Sequence, residues 1–74
     1  MAYDYSKLNG KITQLFKTQC SFASAMNLSQ RSLSLKLNNH LNWKQSEIVK
    51  ACELLHIKES EIGDYFFTRN VQYS

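Results

Sequence analysis

At 74 residues and a formal net charge of +3, the chain is one small domain that buries only about 60% of its unfolded surface, which leaves no room for a large catalytic cleft. No apolar run approaches the roughly 20 residues that span a bilayer, and MAYDYSKLNGK at the N-terminus has no apolar signal region, so membrane and export classes are excluded and a soluble cytoplasmic protein is expected. Cys20 and Cys52 are far apart, without Cys-x-x-Cys spacing, so neither a disulfide framework nor a metal knuckle is expected.

Charge is unevenly spread. Residues 1–46 hold six bases (Lys7, Lys11, Lys17, Arg31, Lys36, Lys44) against Asp4, while residues 47–74 hold five acids against Lys50, Lys58 and Arg69. A basic half is the electrostatic footprint of a nucleic-acid binder, although a solvated surface gives the same count.

The absence of proline, two glycines and few β-branched residues favour helix throughout. Leu8, Ile12, Leu15 and Phe16 follow helical spacing behind Ser6 as a cap, predicting a first helix over about 6–17. Gly10 inside it costs about 1 kcal/mol relative to alanine. Thr18 caps a second helix, 19–26, with Phe22, Ala23 and Met26 on one face. Asn27 suits the left-handed residue that ends it, Leu28 sits inside the turn, and Ser29 caps the next helix.

The stretch SQRSLSLKLNN alternates polar and apolar residues like a strand, but no other segment alternates to pair with it. Leu33 and Leu37 lie about 40° apart on a helix, and leucine prefers helix to strand, so a third helix over 30–37 is predicted. Asn38 and Asn39 end it. Asn42 with Gln45, or Ser46 one turn later, is the expected cap of a fourth helix, 44–55, with Ile48, Cys52 and Leu55 inward and Val49 and Ala51 at its margins. Trp43 is expected to staple that helix to the core. A short fifth helix, 59–66, places Ile62, Tyr65 and Phe66 inward, and either Tyr65 or Phe67 must stay partly exposed, a candidate surface for self-association or partner binding. The fold expected is all-α and five-helical over 1–67, with a tail, 68–74, whose Val71 and Tyr73 are candidates for a dimer edge.

QCSFASAMNLSQRSLSLKL has the spacing of a helix-turn-helix: a small Ala23 at the crossing, Asn27 in the turn, and Leu28 and Leu33 locking the second helix. Here the chain resembles the Cro and repressor class of helix-turn-helix proteins from temperate phages, and within it the small Cro-like or modulator of repression (MOR) proteins. The residues that carry the resemblance are YDYSKLNGK at 3–11, SQRSLSLKLN at 29–38, WKQSEI at 43–48 and EIGDYFF at 61–67. It implies a compact lambda-repressor-like domain and a regulator of the lysis/lysogeny switch in a bacterial host. By the resemblance, Ser29, Gln30, Arg31, Ser32, Ser34, Leu35, Lys36 and Asn38 face operator DNA or the repressor. Their chemistry suits DNA: Gln30 for adenine, Arg31 for guanine, Lys36 for phosphate, with Gln19 and Ser21 as further phosphate donors.

Leu35 lies about 200° around the helix from Leu33 and should be exposed. It touches thymine methyl groups, contacts a protein partner, or packs marginally against His40, Leu41 or the tail. MOR-type proteins associate with the phage's own repressor and take its DNA-reading surface out of service. The resemblance thus implies two routes, capture of the cognate repressor or Cro-type operator binding by a homodimer with no protein partner. His40 and His56 lie on different elements, without a His-Glu-x-x-His motif, a nucleophile elbow or a Gly-rich loop. No enzymatic activity, cofactor, metal or small-molecule substrate is expected.

Overall fold

The computed structural model of the chain describes residues 3–69. Those residues are all-α: α1 (Ser6–Phe16), α2 (Gln19–Met26), α3 (Gln30–Leu37), α4 (Gln45–Leu55) and α5 (Ile62–Phe66), the last preceded by a 3₁₀ turn, Glu59–Glu61. No strand forms among them; one isolated antiparallel bridge joins Tyr3 to Arg69.

Side-chain caps start α2 and α3. The Ser21 amide donates to Thr18 Oγ1 and the Ser32 amide to Ser29 Oγ, both at 3.1 Å, as expected for α2 and α3. Asn27 lies in the left-handed region (φ 60°, ψ 38°), and the Leu28 amide returns to the Ala23 carbonyl at 2.8 Å, satisfying a helix-end carbonyl while reversing the chain. Two caps differ from expectation. Ser6 is already helical, and Asp4 accepts its amide at 2.9 Å. Neither Asn42 nor Ser46 starts α4: Lys44 occupies the cap position, and the Glu47 carboxylate reaches back to its amide at 2.8 Å. A carboxylate three residues into a helix serves that role because it also meets the positive end of the helix dipole. α1 ends one residue early, at Lys17 with φ 69°, and the fifth helical segment opens as a 3₁₀ turn closed by Glu61 N–H donating to the Lys58 carbonyl at 2.9 Å.

α2 lies at the centre and packs on α1, α3 and α4. The core joins Leu8 and Ile12 of α1, Phe22, Ala23 and Met26 of α2, Leu33 of α3, Ala51, Cys52 and Leu55 of α4, Ile57, and Tyr65 and Phe66 of α5. Ala51, expected at a margin, is fully buried. Leu15 turns out to solvent, as does Val49, and Leu37 and Ile48 are only half-buried. Trp43 packs edge-on to Phe66 at 5.2 Å and beside Tyr5 at 6.4 Å, the stapling expected of it. Of the YFF cluster, Tyr65 and Phe66 go inward and Phe67 is 52% exposed.

The largest departure is Lys36. Expected on the outer face of α3, it is 5% exposed, with Nζ 3.0 Å from Glu47 Oε1 and 3.0 Å from the Asn42 carbonyl. Lys36 sits only about 60° from Leu33 around the helix, on the flank of the core face, and an ammonium can be buried there only with partners. The same contact ties α3 to the loop before α4 and to its first turn. Burial pushes the Glu47 carboxyl up, but the Lys44 amide and the Lys36 ammonium together outweigh it and hold the carboxyl below its ordinary value of 4.5.

Lys36→Ala strands Glu47 partly buried, and should destabilise the fold by about 3 kcal/mol in urea unfolding. Because the folded carboxyl is depressed, its stabilisation is complete above pH 4.5 and is lost as pH falls through the lower folded value; Lys36→Ala should flatten that acid decline, and a decline unchanged in the variant would mean the pair contributes nothing. At Asn27, alanine should cost about 1 kcal/mol for its left-handed dihedrals while glycine is tolerated, an order that thermal melts of the two variants test.

Candidate functional site

The exposed side of α3 and the turn before it carry the residues that the sequence singles out. Ser29, Gln30, Arg31 and Asn38 are exposed, Ser32, Ser34 and Leu35 are half-buried, and Lys36 is buried. The serines are partly engaged: Ser29 Oγ donates to Ser32 Oγ at 2.9 Å, and Asn38 Nδ2 donates to the Ser34 carbonyl at 2.8 Å. Gln30 and Arg31, on the first turn of α3, project the long polar side chains of this face. Lys36 leaves the set, so Arg31 is the one basic side chain of α3 on its surface.

Leu35 is half-covered where full exposure was expected. The chain after α3 folds back on this turn: the His40 and Leu41 amides both donate to the Leu35 carbonyl, at 2.8 and 3.2 Å, with Asn39 at φ 66° making the reversal. Leu35 is nevertheless outside the hydrophobic cluster, which agrees with its 200° offset from Leu33.

Gln19 and Ser21, at the start of α2, behave differently from each other. Ser21 is exposed, whereas Gln19 is half-buried and donates through Nε2 to Asn9 Oδ1 at 3.0 Å. Gln19 and Asn38 line one polar cleft of about 330 Å³, closed on its far side by Tyr3 and Asp4. Nothing in the local spacing pairs them, because the closing wall comes from the segment before α1. That segment is held by Asn39, whose side-chain amide exchanges two hydrogen bonds of 2.9 Å with the Tyr3 backbone, and by the Asp4 amide donating to the Thr68 carbonyl at 2.7 Å. Thr68 and Arg69 of the expected tail are thereby pinned; Val71 and Tyr73 lie outside the described residues.

The remaining chemistry is sparse. Ser6 donates to Asp4 from its hydroxyl and its amide and lowers that carboxyl. Burial, with Tyr3 beside it, raises the Tyr5 phenol, and burial pushes the Cys52 thiol up, away from the thiolate that redox chemistry needs. Lys7 Nζ stands 4.8 Å from the Tyr65 ring centroid, a cation–π contact that occupies another base of the basic half. Among the described residues no group of His, Cys, Asp and Glu is placed to hold a metal ion, and no helix is long and apolar enough to cross a membrane.

The solution structure of the modulator of repression (MOR) of the temperate bacteriophage TP901-1 from Lactococcus lactis is similar to this chain, with 50% sequence identity, a TM-score of 0.80, and 97% of each chain covered. No curated protein matches. The family described as "Protein of unknown function (DUF739)" matches residues 1–69, which span every helix and the contacts of the segment before α1, and the chain belongs to that family.

Proposed function

We propose that this protein regulates the lysis/lysogeny switch of a temperate phage, in the cytoplasm of the bacterial host, by binding the cognate repressor. The observation that carries the reading is the likeness to the TP901-1 modulator of repression, half identical in sequence over nearly the whole of both chains. In this reading α2, the turn at Asn27 and α3 are a helix-turn-helix of the Cro and repressor class. Ser29, Gln30, Arg31, Ser32, Ser34, Leu35 and Asn38 form the contact face.

The burial of Lys36 favours a protein partner for that face. Duplex binding draws much of its strength from neutralised phosphates, and α3 presents Arg31 alone. An exposed arginine is instead a residue type enriched among interface anchors, and the half-covered Leu35 one turn on adds apolar surface beside it. Regulation by association needs no catalytic group, cofactor or small-molecule substrate.

A second reading has its own support. Gln30 and Arg31 are both exposed on the first turn of α3, where a recognition helix meets base edges, and the exposed Ser21, whose amide and hydroxyl oxygen are engaged by Thr18, keeps its hydroxyl proton for a phosphate. In that reading the protein is a Cro-type operator binder, acting as a homodimer on half-sites about 34 Å apart.

Titration against labelled switch-region DNA, with and without the co-encoded repressor, separates the two. Repressor capture predicts no shift by this protein alone and loss or alteration of the repressor's shift when it is added. Leu35→Ser should abolish that effect while helical circular dichroism is retained. Saturable, salt-sensitive binding by the protein alone would instead establish the operator reading, in which Arg31→Ala costs about 1–3 kcal/mol and relaxes base preference.

A further inference from the structure

On elements other than α3, a groove of about 240 Å³ runs between α4 and the 3₁₀ turn with α5. Val49, Cys52 and Glu53, spaced i, i+3 and i+4, form one wall, and Glu59 and Ile62 form the other, with Ile57 between them. Ile57 and Cys52 are buried, whereas Val49 is 51% exposed, the most open apolar side chain of α4. The central helices already satisfy the core, so Val49 is not needed there. Both charged residues of the lining, Glu53 and Glu59, are exposed carboxylates. Of the bases of this half, Lys50 follows Val49 and Lys58 precedes Glu59 in sequence, but neither lines it.

We propose that this groove docks a basic amphipathic helix of a protein partner. An aliphatic side chain of that helix rests on Ile57 between Val49 and Ile62, and Lys or Arg residues a turn to either side meet Glu53 and Glu59. An apolar floor with carboxylates on both rims fits helix-in-groove recognition. The charges select the partner's sign and fix its register, and the apolar anchor supplies affinity. The proposal is independent of the role given to α3.

The test uses the full chain and a synthetic helical peptide with leucines at i, i+4 and i+7 and lysines between them, followed through the methyl NMR signals of Val49, Ile57 and Ile62. A second peptide carries glutamates in place of the lysines. The basic peptide should shift these three methyls saturably, and the acidic one should not. The Glu53→Lys/Glu59→Lys double variant should bind the basic peptide at least tenfold more weakly and gain affinity for the acidic one. Val49→Asp should bind neither, with unchanged helical circular dichroism for both variants. Absence of shifts at these methyls, or equal affinity for the two peptides, would overturn the proposal. So would concentration-dependent shifts of the same methyls without peptide, since the occupant would then be a second copy of the chain.

Discussion

The ammonium of Lys36, held by one carboxylate oxygen of Glu47 and the carbonyl of Asn42, is the contact around which this small domain is organised. The same oxygen of Glu47 also accepts the Lys44 amide that starts α4. A single carboxylate thus begins one helix and anchors the neighbouring one. The arrangement fixes where α3 sits relative to α4 and removes a positive charge from the surface that α3 presents. Fold and function meet at this residue: the charge that locks the helix in place is unavailable to any ligand of its outer face.

The rest of the architecture distributes the work that a short chain can do with few core residues. α2 supplies Phe22, Ala23 and Met26 to three neighbours, and small Ala23 lets α3 approach. Aromatic side chains pack together around α5 and the segment before α1: Trp43 stands between Tyr5 and Phe66, and Tyr3 meets Phe67 edge-on at 6.0 Å. These rings bury large areas for little conformational entropy, which matters in a domain with so small an interior.

How much of this is legible in the sequence depends on the range of the interactions involved. Thr18, Asn27 and Ser29 act on backbone within three or four residues, so their roles and the limits of α2 and α3 are readable from spacing alone. Leucine periodicity likewise places Leu33 inside and keeps Leu35 out of the core. Lys36 is illegible because its burial depends on Glu47, which no periodicity pairs with it, and lysine at a flank position is ordinarily solvated. The cap of α4 is hidden for a related reason: Asn42 and Ser46 are better intrinsic caps than Lys44, but Glu47, committed to Lys36, sets the start. Of the candidate face, Ser29, Gln30, Arg31 and Asn38 are where helical geometry puts them. The half-cover of Leu35 depends on the chain reversal after α3, and the cleft that Gln19 and Asn38 both line takes residues from the segment before α1.

The two-way amide contact between Asn39 and Tyr3 has a bearing on how the molecule assembles. Joining chain segments far apart in sequence costs loop entropy that local turns do not. The polar cleft beside Gln19 and Asn38 has no far wall until that closure is made. Its geometry therefore rests on contacts between segments far apart in sequence and on no single helix.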